Sequence, residues 1–149
     1  MQAIILAGGL GTRLRSVVND IPKCMAPVAG HPFLHYVIEH LLKQQVDKFI
    51  FSLGFMSEAI KTFLKENYSD LSYQLSIESE PLGTGGAIKL AAEKTSEKNV
   101  LVLNGDTLFS IDVAPLYIKQ KDAEAACTLC LKPMKNFDRY GVVEIDDTG

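Results

Sequence analysis

At 149 residues the chain is long enough for one domain with a sizeable core. Its net charge of −3, from 15 basic and 18 acidic residues, is not the basic footprint of a nucleic-acid binder. No apolar run nears the ~20 residues of a membrane span, and the first residues lack the basic region of a signal peptide, so neither membrane nor nucleic acid is an expected partner. Three cysteines, Cys24, Cys127 and Cys130, make an odd number with no disulfide framework, and a cytoplasmic protein is expected.

The chain opens on an apolar run, residues 3–7, short enough for a buried strand. It empties into Gly8-Gly9-Leu10-Gly11-Thr12-Arg13. Such a loop turns several N–H groups toward one anion. Thr12 adds a hydroxyl, Arg13 a planar fork of donors, and Lys23 a movable point charge. Together these features suggest a polyphosphate site. Residues 25–32 read as an extended piece and a turn. Residues 33–45 carry apolar side chains at 34, 37, 38, 41 and 42, a helical stripe. His35 and His40 lie on it, and their spacing, with His31, gives no metal pair; they read as surface histidines.

Residues 46–53 read as a second buried strand ending at Gly54. Ser57 is placed to cap a helix running to about Asn67, with a stripe of Met56, Ile60, Phe63 and Leu64. Residues 73–77 alternate, as in a strand nearer an edge. Glu80-Pro-Leu-Gly-Thr-Gly-Gly-Ala87 reads as a glycine loop able to approach a flat ligand, followed by a helix over 88–94. Residues 99–103 form the next strand, ending in Asn104-Gly105-Asp106. A carboxylate there can reach Mg²⁺ in the same cleft as a triphosphate, although Asn-Gly-Asp is also ordinary turn chemistry. Asp112 is placed to cap a helix over 114–120, with Pro115 in its first turn. Residues 125–131 and 140–145 read as strands, and 146–149 as the start of a hairpin turn. Cys127 and Cys130 are expected inside the first of these, as two buried thiols. Lys132, Lys135 and Arg139 read as a solvated loop. Strands alternate with helices, which predicts an α/β fold: a Rossmann-like, mostly parallel sheet with helices on both faces and its ligand beyond the carboxyl ends of the strands.

Two familiar phosphate loops do not match. The P-loop spacing with its Gly-Lys-Ser/Thr is absent, and Leu14 stands where a dinucleotide fingerprint needs its third glycine, which disfavours a dinucleotide-dependent oxidoreductase. The longer string Leu6-Ala-Gly-Gly-Leu-Gly-Thr-Arg-Leu14, followed by Pro22-Lys23, resembles the signature of the sugar-1-phosphate nucleotidyltransferases. One departure is Cys24, where many relatives carry proline; it leaves the charge of Lys23 untouched. The Glu80 to Ala87 run resembles the family's second segment, and Gly105-Asp106 resembles its metal-binding motif.

The resemblance implies the nucleotide-diphospho-sugar transferase fold and a set of roles. Arg13, Lys23 and Asp106 carry catalysis, with Asp106 holding Mg²⁺. Leu6, Ala7, Gly8, Gly9, Gly11, Thr12, Arg13, Glu80, Gly85 and Asn104 bind the nucleotide. Lys23, Tyr140 and Gly141 lie at the sugar. The partners implied are an NTP and a sugar 1-phosphate, with a homo-oligomer left open. Relatives of the family continue past this length, with a further sugar-binding residue and a second metal-binding aspartate. Residues 1–149 therefore read as the amino-terminal portion of one nucleotidyltransferase domain, truncated at its carboxyl end. The runs Pro22-Lys-Cys-Met-Ala-Pro27, His31-Pro-Phe33 and Glu80-Pro-Leu-Gly-Thr-Gly-Gly-Ala-Ile88 are most similar to the branch using GTP and a heptose or mannose phosphate. Use of UTP or dTTP with a hexose phosphate, and a non-catalytic nucleotide-sugar-binding module, stay open.

Overall fold

The computed structural model describes residues 1–9, 21–54, 56–135 and 141–145. They fall into two compact units, Met1–Asp112 and Val113–Gly149. The first unit is built on four parallel strands: β1 (Gln2–Leu6), β4 (Lys48–Leu53), β5 (Ser72–Ile77) and β6 (Leu101–Asn104). Their order is β5-β4-β1-β6, so β1 is central and β5 is the edge strand its alternating sequence predicts. A two-stranded antiparallel hairpin, β2 (Pro27–Val28) and β3 (His31–Pro32), turns through Ala29 and Gly30, both at positive φ.

Strand periodicity sorts the side chains onto two faces. On one face Ala3, Ile5, Phe49, Phe51 and Leu53 pack against α1 (Phe33–Lys43) and α2 (Ser57–Asn67) through Leu34, Val37, Ile38, Leu41, Ile60, Phe63 and Leu64. On the other, Ile4 and Ile50 meet Ala91 of α3 (Gly83–Ala92). Helices thus cover both faces, as the β-α alternation predicts. Each fully buried Leu, Ile or Phe stabilises the fold by roughly 1.5–3 kcal/mol, so the face bearing α1 and α2 dominates cohesion.

Several sequence-based expectations are corrected. Leu42 belongs to the predicted helical stripe but is exposed. Ser57 does not cap α2; the N-cap is Met56, held in the left-handed region at φ 59° with no side-chain capping bond. The histidines of α1 are not free surface groups. His35 Nδ1 meets the Tyr68 hydroxyl at 2.6 Å and its ring stacks on His31, while His40 Nε2 meets Gln44 Nε2 at 2.7 Å. The Tyr68 hydroxyl donates onward to Glu39. Burial first, and then the Glu39 charge and that bond, push the Tyr68 phenol above its ordinary range.

The second unit contains α4 (Val113–Asp122), whose Gln120 side chain bonds the Ala125 carbonyl and the Thr128 hydroxyl. Residues 125–131 and 141–145 do not form the predicted strands, and Cys127 and Cys130 are exposed free thiols rather than buried ones. An apolar run becomes a strand only where a neighbour supplies ladder partners. None pairs with these segments among the described residues, and Leu129, Val142 and Ile145 remain exposed. Lys132 and Lys135 are exposed, as expected of a solvated loop; Arg139 and the predicted 146–149 turn lie outside the described residues.

Candidate active site

A cleft of about 940 Å³ opens at the carboxyl ends of the parallel strands. Its floor is built by continued pairing past the strands themselves. Ala7 N–H donates to the Ser52 carbonyl and Gly105 N–H to the Leu6 carbonyl, both at 2.8 Å. The first glycine of the loop is fixed by a close backbone approach. A Cβ on Gly8 would stand 2.9 Å from the backbone nitrogen of Gly54, and one on Gly54 2.9 Å from the Gly8 carbonyl oxygen. Neither neighbour is a side chain that could turn aside, so both loop starts require glycine. Gly105 is less tightly held: a Cβ there would stand 3.1 Å from Ile5 Cγ2 and 3.3 Å from the Leu6 carbonyl oxygen, so a neighbour would have to give by a few tenths of an ångström.

The cleft takes its residues from every strand end in turn. Asn104 ends β6 and Asp106 follows it; Leu6, Ala7, Gly8 and Gly9 close β1; Ser52 lies in β4 and Gly54 just past it; Glu78, Ser79 and Glu80 follow β5. Gly83, Thr84 and Ala87 of α3 form another wall, and Lys23 and Cys24 enter from the short 3₁₀ turn Lys23–Met25. From β6 to β5 the strand ends span three strand spacings, about 14 Å.

Lys23 Nζ donates to Asp106 Oδ2 at 2.5 Å across 83 residues of sequence. Their side chains are 40% and 30% exposed. At that exposure an ion pair is worth only about 0–1 kcal/mol, so either partner can leave for a better one. Beside them Cys24 is 3% exposed. Its burial, and secondarily the Asp106 charge, push the thiol up to about 12, which keeps it a neutral packing group.

The structure therefore brings Leu6, Ala7, Gly8, Gly9, Lys23, Glu80, Asn104 and Asp106 together in one cleft. Gly11, Thr12, Arg13 and Tyr140 lie outside the described residues. Gly85 is exposed on α3 with open space where a Cβ would be, and it does not line the cleft; Gly141 is exposed in the second unit. The glycine run also differs in form from its prediction. Instead of a loop before a helix, Gly83, Gly85 and Gly86 lie in the first turns of α3. Glu78 accepts the Leu82 N–H at 3.1 Å and fixes the turn before it. Sequence reasoning missed Ser52, Gly54 and Glu78. A lone serine inside Phe49-Ile-Phe-Ser-Leu53 was the one available signal for the first.

Among the described residues no group of three His, Cys, Asp or Glu side chains is arranged to hold a metal. The Asp106 carboxylate at the β6 end of the cleft still suits Mg²⁺, which is held by one or two carboxylates and otherwise by water and substrate phosphate oxygens. Among the same residues no helix is long and apolar enough to cross a membrane.

A parallel sheet whose strand ends present a glycine turn, a lysine and a carboxylate is the framework of a nucleotide-handling α/β protein, and the chain belongs to the nucleotidyl transferase family, whose model matches residues 2–149. It is 52% identical over 148 residues to the D-glycero-alpha-D-manno-heptose 1-phosphate guanylyltransferase of Aneurinibacillus thermoaerophilus. It is 47% identical over 147 residues to the protein of the same name from Campylobacter jejuni. Each match covers 99% of this chain and 64% of the relative, so the chain spans under two thirds of these relatives' length. The crystal structure of HddC from Yersinia pseudotuberculosis complexed with GMP-PN superposes with a TM-score of 0.75 at 40% identity, over 81% of this chain and 54% of that one.

Proposed function

We propose that the chain is the amino-terminal part of a single nucleotidyltransferase domain that moves a guanylyl group from GTP to a heptose or mannose-type sugar 1-phosphate, releasing pyrophosphate. The observation that carries this reading is the Lys23–Asp106 pair in a cleft shared with the glycine turn. The two guanylyltransferase relatives support the choice of GTP and heptose.

In this reaction a sugar phosphate oxygen attacks the α-phosphorus. One P–O bond forms there, and the bond to the β-phosphate oxygen breaks. The nucleophile is already ionised at neutral pH, so no general base is needed. The protein's tasks are alignment and charge stabilisation. Lys23 sits between the α-phosphate and the incoming phosphate and offsets their repulsion. Its weak hold on Asp106 lets it turn to them. Arg13 and the N–H groups of residues 9–12 hold the β- and γ-phosphates. Leu6, Ala7, Gly8, Glu80 and Asn104 take the nucleoside side, and Tyr140 and Gly141 the sugar. Asp106 supplies an oxygen ligand to Mg²⁺, and the ion when bound contributes Lewis-acid charge neutralisation at the phosphate oxygens.

The test is pyrophosphate release with each NTP and a panel of sugar 1-phosphates, on this chain and on one extended past Gly149. GTP with a heptose or mannose phosphate is expected to be preferred. Arg13→Ala and Asp106→Ala in the extended chain are expected to lower turnover on the order of a hundredfold or more with unchanged thermal melts. Turnover with UTP or dTTP alone would overturn the assignment of substrate. Wild-type rates in either variant would remove that residue from the mechanism.

A further inference from the structure

Among the described residues Lys23 is the only basic side chain lining the cleft, and it shares that cleft with the carboxylates of Glu78, Glu80 and Asp106. One of them already holds it. Lys23 Nζ donates to Asp106 Oδ2 at 2.5 Å, and the other oxygen, Oδ1, accepts from the Thr107 hydroxyl at 3.3 Å. Both oxygens of the carboxylate assigned to the metal are therefore engaged in the free protein, and so is the lysine assigned to the phosphates.

The backbone under Lys23 is pinned. Met25 N–H donates to the Pro22 carbonyl and Ala26 N–H to the Lys23 carbonyl. Phe33 N–H donates to the Ala26 carbonyl at 2.9 Å and the Tyr36 hydroxyl to the Val28 carbonyl at 2.8 Å, which ties the turn and the hairpin after it to α1. Cys24, buried next to the lysine, anchors the same turn. A change of partner by Lys23 thus needs only rotation about the bonds of its flexible stem.

Two ligands compete with the pair, one for each half. A divalent cation on Asp106 meets the ammonium as a like charge at close range, and a polyphosphate on Lys23 meets the Asp106 carboxylate in the same way. Either ligand alone has to break the pair and strands the other half. Together they satisfy both halves, carboxylate to cation and ammonium to phosphate. The second to arrive finds the pair already broken, which is positive coupling between the two ligands.

We propose that the Lys23–Asp106 pair is an autoinhibitory contact in which Lys23 stands in for the metal ion, so that the cleft resists a free divalent cation and a metal-free nucleotide and accepts the two together. This rests on the nucleotide-binding reading above. Lys23 then acts before the reaction as well as in it, by setting which form of the nucleotide enters.

The experiment measures Mn²⁺ binding to the nucleotide-free protein, by loss of the free-ion electron paramagnetic resonance signal, in wild type, Lys23→Gln, Asp106→Asn, the double variant and Lys48→Gln. The last removes the lysine of the Lys48–Glu97 ion pair at the amino-terminal end of β4, with the same change in net charge. Lys23 and Asp106 are both partly exposed, so the variants are expected to fold as wild type does. Lys23→Gln is expected to bind Mn²⁺ roughly 5- to 30-fold more tightly than wild type. Lys48→Gln is expected to match wild type, and the double variant to bind no more tightly than Asp106→Asn. Calorimetric titration with GTP in EDTA is the reciprocal arm. There Asp106→Asn is expected to bind roughly 5- to 30-fold more tightly than wild type, and the gain to shrink in the Lys23→Gln background. Unchanged Mn²⁺ affinity in Lys23→Gln, or an equal rise in Lys48→Gln, overturns the autoinhibitory contact. Unchanged GTP affinity in Asp106→Asn, where wild type binds GTP, overturns it too and leaves nucleotide binding intact. Tighter Mn²⁺ binding by Lys23→Gln in proteins that take no GTP, with or without Mn²⁺, would uphold Lys23 as the stand-in for the metal and overturn the nucleotide reading.

Discussion

Cys24 shows how closely packing and electrostatics are joined beside the cleft. Its thiol is buried, and Asp106 adds negative charge nearby, so its ionisation is pushed from the ordinary 9.0 up to about 12. Above pH 9 the unfolded chain sheds this proton first, so the group's contribution to stability falls as pH rises. The slope is at most about 1.4 kcal/mol per pH unit, up to about pH 12. Urea unfolding at pH 8 and pH 10.5 should show wild type losing more stability than Cys24→Ala over the interval. Equal losses would mean that the thiol ionises freely in the folded state. Asp47 carries the opposite shift: its bond to the amino-terminal ammonium, and the charge there, hold its carboxyl below the usual range. It is fully exposed, so the contact fixes the chain end without much energy.

At the scale of elements, helix ends decide more than helix interiors. After α1, Val46 N–H reaches the Leu41 carbonyl and Gln45 N–H the Leu42 carbonyl. This six-to-one and five-to-two pairing is the Schellman closure, which favours glycine at the left-handed position. Here that position is Gln45, exposed and at φ 63°. Gln45→Gly should therefore stabilise the protein by about 1 kcal/mol, read as a higher melting temperature. A lower one would mean that glycine's gain in unfolded-state entropy outweighs the relieved strain. The body of α1 was legible because its stripe has helical spacing, with Leu34, Val37, Ile38 and Leu41 all buried. The start of α3 was not. Glycine is a poor helix former, so its run reads as a loop. Ala87 and Ala91 bury on the sheet side, and Glu78 secures the preceding turn, so the helix begins at Gly83 regardless. The cap of α2 was misplaced because a serine at the right spacing signals capping without proving it. The chain enters through Met56 instead.

Across the whole molecule, the sheet converts distant sequence into one site. Parallel strands were legible from their alternation with helices, and the position of the cleft follows from the general behaviour of such sheets. The contact between Lys23 and Asp106 was not legible from local pattern. It depends on β6 pairing beside β1 and on the 3₁₀ turn placing Lys23 over the strand ends. Residues 125–131 and 141–145 show the converse limit. Their apolar runs are strand-like, but a strand is a property of two segments, and these have no partner among the described residues.

The most direct measurement is a crystal structure of this chain with a non-hydrolysable GTP analogue and Mn²⁺, using anomalous scattering to locate the ion. The account predicts an anomalous peak at bonding distance from the Asp106 carboxylate, phosphates against the glycine turn, and Lys23 moved from Asp106 onto the α-phosphate. A nucleotide bound outside the cleft, or a manganese peak elsewhere with the Lys23–Asp106 pair intact, would contradict it.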